Sequence, residues 1–459
     1  MHKKRPCHLL LQIAFAYWTN LAAARIHEGE FSGQRYPARR LTGNAFHRMK
    51  RYAVTRVWYR ESALALARER PQNMFDNWNS ICKTTALYTL LFLCASGRSA
   101  SRPDEINFEK HTIDLGASET AVFADINHDG KLDLVSGEYW YEAPRWIKHR
   151  FREIDYTNNY VDDLSTLALD VDGDGYVDLV TSGWFSKKLA WWRNPGRTGE
   201  MWKEHPIATG SPIEFSFLVD LDNDGKANEV LPQFGDNRPL AWYERDKHGG
   251  MTEHIVSDHS YGHGIGVGDV NGDGRNDILT PKGWLEAPPD PRQKNWTFHP
   301  DWHFDEALGF MYVRDVNGDG RPDIVSSMAH GYGIFWLEQT SDRKWVKHVI
   351  DDSWSQPHAM VIVDFRKTGN LGLLTGKRYL AHNGGDPGAR EPLGVYWYER
   401  LLDPSTHTVD WARHVIDYGG RTGGGIEIGV ADFDGDGDLD FAVGGKSGLF
   451  LFENKTAAK

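Results

Sequence analysis

Residues 315–325 read DVNGDGRPDIV. Asp315, Asn317, Asp319 and Asp323 set side-chain oxygens at alternate positions, Gly320 follows the third, and Ile324 and Val325 come next. Carboxylates this close repel one another unless a cation lies among them. The glycine makes a sharp turn that any residue with a Cβ makes only at a cost. The apolar β-branched pair after it predicts that the loop runs into a strand.

The phrase recurs as DINHDGKLD from Asp125, DVDGDGYVD from Asp170, DLDNDGKAN from Asp220, DVNGDGRND from Asp269 and DFDGDGDLD from Asp432. Its opening resembles an EF-hand calcium loop, where side chains at positions 1, 3 and 5 and a carbonyl at 7 hold the ion. The Glu at position 12 and the flanking helices of an EF-hand are missing, so the expectation is a calcium site on a β-loop. The Asp220 copy ends in Asn228, a weaker ligand. At Asp364 the register continues as DFRKTGNLG, but Arg366 and Lys367 take up ligand space, and no calcium is expected there.

More than the loop repeats. Each copy continues into a strand and then a WYE-like phrase, as at Trp140, Trp242, Trp284, Trp336 and Trp397. An aromatic, two residues and a His follow, giving His149, His205, His299, His348 and His414; His254 holds the slot with Met251 in place of the aromatic. A unit of about 45–50 residues with four strands predicts an all-β fold, a β-propeller. The last unit is one strand short, and INFEKHTID, with His111 in the same slot, supplies the missing outer strand from the N-terminal side. Seven blades are therefore expected, closed by that strand so that no sheet edge is left open. Recurrence at one place per blade marks these seven His as architectural.

Composition limits the rest. A net charge of −12 argues against nucleic acid, and 18 Trp suit a large β core. The three Cys, Cys7, Cys82 and Cys94, all precede the repeats, which leaves the repeat region without a disulfide or a thiol nucleophile. Residues 1–73 form an extension, with Met74 a plausible alternative start. Residues 74–103, containing ICKTTALYTLLFLCASGRSA, resemble an export signal, and 104–455 hold the propeller. The expectation is a secreted, periplasmic or extracellular chain, monomeric and with no transmembrane span once mature.

The repeats resemble the FG-GAP and VCBS families, calcium-loop propellers that include integrin α heads, propeller polysaccharide lyases and the propeller of aldos-2-ulose dehydratase. By that resemblance the calcium ligands are the side chains at positions 1, 3, 5 and 9 and the carbonyl at 7. They are Asp125, Asn127, Asp129, Lys131 and Asp133; then Asp170, Asp172, Asp174, Tyr176 and Asp178; then Asp220, Asp222, Asp224, Lys226 and Asn228. The remaining loops supply Asp269, Asn271, Asp273, Arg275 and Asp277; Asp315, Asn317, Asp319, Arg321 and Asp323; and Asp432, Asp434, Asp436, Asp438 and Asp440. The resemblance is specific for fold and calcium, not for activity.

Function is expected on the rim opposite these loops, where the copies differ. Catalytic candidates are His263, His358, His330, Tyr261, Tyr379 and Arg378. Substrate-binding candidates are Trp184, Arg238, Lys282, Trp354, Lys377, His382, Glu214 and Glu427. The longest insertion, TGKRYLAHNGGDPGAREPLG, falls in the unit that lacks a calcium loop. Three functions compete: binding of a carbohydrate or anionic polysaccharide through aromatics and cations, β-elimination by a lyase or sugar dehydratase with His/Tyr acid–base groups, and adhesion or assembly. Whether the chain is an enzyme stays open at this stage. His263, His330, His358 and His382 lie outside the architectural slot, and a Zn2+ site built from them is a further expectation, although their spacing carries no local ligand pattern.

Overall fold

The computed structural model describes residues 102–235 and 238–456, all β apart from one short 3-10 turn at Ala381–Gly384. The expected extension, the three Cys residues and nearly all of the export segment lie outside the described residues. Among the described residues, no helix is long and apolar enough to cross a membrane.

The repeat unit is a four-stranded antiparallel meander. In the second sheet Ser165–Leu169 is innermost, followed by Asp178–Gly183, Lys188–Arg193 and Lys203–Thr209. The acidic loop joins the first of these strands to the second, as its sequence position predicts. The second strand is buried along its whole length, which accounts for its run of apolar and small residues. Innermost strands meet where Val122–Ala124 touches Ser165–Leu169, Ser165–Leu169 touches Ile213–Val219, Ile265–Gly268 touches Phe310–Arg314 and Ala359–Ile362 touches Ile428–Ala431, and the first, Val122–Ala124, also touches the last, Ile428–Ala431. The sheets are thus arranged as a β-propeller. Its final sheet is completed by Phe108–Asp114, antiparallel to Gly448–Asn454. The N-terminal strand therefore occupies the outer place left open by the C-terminal unit.

Seven blades were expected, and the structure shows five as separate sheets. Five four-stranded sheets stand alone, while the units beginning at Ile265 and Phe310 share one eight-stranded sheet. Their innermost strands, Ile265–Gly268 and Phe310–Arg314, pair in parallel. Glycine permits this approach, because a Cβ on Gly266 would lie 2.0 Å from the Met311 carbonyl oxygen and one on Gly268 2.6 Å from Val313.

Between sheets the core is aromatic. The repeated Trp lies beneath the repeated His of the next strand, at ring separations of 4.2 Å for Trp140–His149 and Trp284–His299 and 4.4 Å for Trp336–His348. The Glu of the WYE phrase then takes the imidazole nitrogen, as in His149–Glu142 at 2.8 Å and His348–Glu338 at 2.7 Å. The second sheet has Arg193 in place of that Glu, and His205 Nε2 is buried without a hydrogen-bond partner. The architectural reading of these His therefore has a geometric basis.

Candidate functional site

At the mouth of the inner strands, away from the acidic loops, four segments distant in sequence meet around one carboxylate. Glu214 lies in the inner strand Ile213–Val219 and is buried. His263 precedes the inner strand Ile265–Gly268, His358 precedes Ala359–Ile362, and His330 sits in the turn between Asp323–Ser327 and Tyr332–Gln339. His263 Nε2 is 2.9 Å from Glu214 Oε2; His358 and His330 bring their Nε2 atoms to 3.2 and 3.6 Å from Oε1. Phe215 packs edge-on against the rings of His263 and His358 and so limits how either can turn.

The far nitrogens are fixed as well. His263 Nδ1 is 2.9 Å from the Leu308 carbonyl, an acceptor that forces this nitrogen to carry the proton. His330 Nδ1 is 3.0 Å from Asp386 Oδ2, and His382 Nδ1 is 2.8 Å from Asp386 Oδ1.

A chain of alternating charge runs from this group. Arg378 Nη1 donates to Glu214 Oε1 at 2.8 Å, Arg378 Nε donates to Glu119 Oε2 at 3.4 Å, and Lys446 Nζ pairs with Glu119 Oε1 at 3.0 Å. Burial would raise the Glu214 carboxyl, but His263, with His330 and His358, holds it well below the usual carboxylate range. Burial drives His358 well below and His330 below the ordinary imidazole value. For His263 the effect of Glu214 outweighs burial and raises it. Burial would lower Arg378, but Glu119 and Glu214 prevail and raise it.

Beside the cluster is a cavity of about 390 Å3 lined by Asn158, Tyr160, Leu164, Trp184, Phe185, Glu214, Arg378, His382 and Asn383. The long insertion forms part of its wall through a 3-10 turn in which His382 and Asn383 adopt left-handed φ values of 47° and 55°. Such backbone strain in residues other than glycine gathers at functional sites. It is held by Asn383 N donating to Tyr160 Oη at 3.1 Å and by Lys446 Nζ donating to the carbonyls of Tyr379 and Leu380.

Of the sequence candidates, Glu214, His263, His330, His358, Arg378, His382 and Trp184 come together here. Others do not. Tyr261 stacks on Phe298 and meets Ser257 Oγ. Trp354 is buried, with its Nε1 donating to Tyr398 Oη at 2.8 Å. Lys377 is buried and binds the Ser355 carbonyl at 3.2 Å. Arg238 pairs with Glu253 and Lys282 with Asp305. Tyr379 is exposed near the rim, and Glu427 accepts from Thr166 N at 3.0 Å.

Sequence reasoning missed Glu119, Tyr160, Phe185 and Asp386. One signal was available for Glu119. The residue six places before the first Asp of each loop is Glu119, Leu164, Glu214, His263, Gly309, His358 or Ile426. Chemistry-bearing groups thus share one slot of the repeat with the apolar Leu164 and Ile426.

The acidic loops on the other rim suit a cation. Asp220 Oδ1, Asp432 Oδ1 and Asp438 Oδ2 are buried oxygens with no hydrogen-bond partner. Asp170, Asp172 and Asp178 form one ligand-spaced group, and Asp220, Asp222 and Glu229 another. In the third unit Glu229, not Asn228, closes the loop, its Oε2 accepting from Leu221 N at 2.8 Å. The corresponding Asp133 accepts from Ile126 N and Ala143 N. Burial, with the neighbouring loop carboxylates, pushes Asp277 and Asp440 up to about 7. In the loop expected to lack calcium, Arg366 pairs with Glu399 at 3.0 Å.

A family model described as an FG-GAP-like repeat matches residues 170–231. No curated protein matches the chain. Solved structures with a fold-level likeness include an Agrocybe aegerita lectin described as recognising non-reducing terminal N-acetylglucosamine (14% identity, 66% of this chain and 81% of that one, TM-score 0.41). The β-propeller domain of Cps50 (Swd1) from Myceliophteria thermophila is similar at 9% identity, with 76% and 100% covered and a TM-score of 0.43. The V. cholerae biofilm matrix protein Bap1 follows at 12% identity, with 78% and 82% covered and a TM-score of 0.32.

Proposed function

We propose that this chain is an exported, calcium-stabilised propeller that binds carbohydrate in the cavity beside Glu214, acidic polysaccharide being the preferred class. The observation that carries the reading is the cavity wall. Tyr160, Trp184 and Phe185 line it with aromatic side chains, the kind on which sugar rings stack, and Asn158 and Asn383 line it with amides that can hydrogen-bond sugar hydroxyls. Lys446 lies 4.2 Å from the centre of the Tyr160 ring, and Arg378 lines the floor, which favours a carboxylate or sulfate on the sugar. In this reading each half of the eight-stranded sheet is a blade, the ring has seven, and six loops take calcium.

The His–Glu group at the cavity floor favours a second reading, elimination from a uronate, in which one imidazole takes the C5 proton, the C4–O bond breaks as a second imidazole protonates the leaving oxygen, and Arg378 balances the substrate carboxylate. One experiment addresses both readings. The intact chain in calcium is passed over immobilised uronic and neutral polysaccharides while ultraviolet absorbance follows any unsaturated product. Retention that is lost in Trp184→Ala, with unchanged thermal melting, is the expected result. Retention on no glycan overturns the binding reading, and formation of unsaturated product moves the assignment to the lyase.

A further inference from the structure

We propose that Glu214, His263, His330 and His358 form a site for a single divalent transition-metal ion of the Zn2+ class, separate in place and chemistry from the acidic loops. Their ligand atoms form one group, with Glu214 oxygens 2.9, 3.2 and 3.6 Å from the Nε2 atoms of His263, His358 and His330 and the Nε2 atoms of His263 and His330 3.3 Å apart, each shorter than two metal–ligand bonds of about 2.0–2.2 Å laid end to end. Three imidazole nitrogens and one carboxylate oxygen are a donor set for zinc and its neighbours, whereas calcium selects oxygen alone.

The second observation is how the rings are held. His263 and His330 each commit Nδ1 as donor, to the Leu308 carbonyl at 2.9 Å and to Asp386 at 3.0 Å. Their Nε2 atoms then face one another across 3.3 Å, with the Glu214 carboxylate alongside. Two lone pairs and an anion are stable at this range only with a positive charge among them, either a shared proton or a metal. Outer-shell acceptors that fix the tautomer are the usual companions of metal-ligating His. Asp386 and the Leu308 carbonyl fill that role here, and Arg378 steadies Glu214 through Oε1 while Oε2 faces His263.

Glu214 and Arg378 also line the open cavity, so an ion here would be within reach of a ligand oxygen arriving from it. The inference does not depend on that ligand being a sugar.

Cobalt is the test. The full chain is stripped with a chelator, returned to excess Ca2+, and titrated with Co2+ while the visible d–d band of a nitrogen-rich site is recorded. The expected result is a band that saturates at one equivalent, disappears in His263→Ala, and needs about 10–100-fold more metal in Asp386→Asn, where every proposed ligand remains. A wild-type chain with no saturable band overturns the proposal, and this arm does not depend on any variant folding. A band that survives in His263→Ala but is lost in His382→Ala also overturns it, by moving the ion to His330, His382 and Asp386.

Discussion

Arg378 Nη1 donates to Glu214 Oε1 across 2.8 Å, joining residues 164 positions apart in the chain. Both are buried, and the same guanidinium reaches Glu119, also buried. Arg378→Met would leave two enclosed carboxylates with Lys446 and the imidazoles as their remaining cationic partners. Breaking a buried pair from one side costs about 3–5 kcal/mol, so a clear fall in melting temperature is expected. Adding Glu214→Gln should restore part of the loss. Equal melting of Arg378→Met and the parent would mean that the pair contributes nothing to the fold.

Calcium removal is the next case. Orphaned buried oxygens at Asp220, Asp432 and Asp438 predict that a chelator lowers the melting temperature and that Ca2+, added back, restores it. In the third loop Glu229→Gln should weaken this calcium response more than Asn228→Ala, because Glu229 belongs to the ligand-spaced group with Asp220 and Asp222. The reverse order would return position nine to Asn228.

Glu427 predicts a pH dependence. Burial pushes its carboxyl up to about 8 from an ordinary 4.5, with Asp163 adding to the shift. Between those values the folded chain keeps a proton that the unfolded chain has released, so stability falls as pH rises through the window and the loss is complete above it. Glu427→Gln can still accept from Thr166 N. It should flatten the decline between ~pH 5 and ~pH 9 by about 1–2 kcal/mol once partial exposure is discounted. A slope identical to that of the parent chain would remove Glu427 as its source.

The Trp–His–Glu stack can be divided by comparing sheets. His299 rests on Trp284 and binds Glu286 at 2.8 Å, whereas His205 rests on Trp191 with no carboxylate partner. His299→Ala is expected to cost about 1–2 kcal/mol and His205→Ala about 1 kcal/mol less, by denaturant unfolding. Equal costs would place the whole contribution in the stacking.

Gly266→Ala tests why two units share a sheet. The added methyl would meet the Met311 carbonyl at 2.0 Å, and backbone on both sides has little room to yield. A loss of about 3 kcal/mol is expected, the upper end for an overpacked position. A well-tolerated alanine would show that the parallel pairing of Ile265–Val267 with Phe310–Tyr312 bends more easily than its geometry implies.

The sequence alone determined the repeat, the strand order within a unit, the loop between first and second strands, and the N-terminal strand that completes the last sheet. Each is a local pattern copied several times, and repetition makes a weak local signal readable. It also separated architectural from unusual His, because a slot filled in every unit differs visibly from one filled in a few. The fusion of two units into one sheet was decided by how near two backbones come, and that depends on glycines whose neighbours are not adjacent in sequence. The site was decided the same way. Glu214, His263 and His330 come from three units and His358 and Arg378 from a fourth, and only the arrangement of the sheets brings them within hydrogen-bond reach. Of the rim candidates, Lys377 and Trp354 were drawn instead into the packing of neighbouring strands. Polarity in a variable loop says that a group is available; which way its side chain faces is settled by the burial of everything around it.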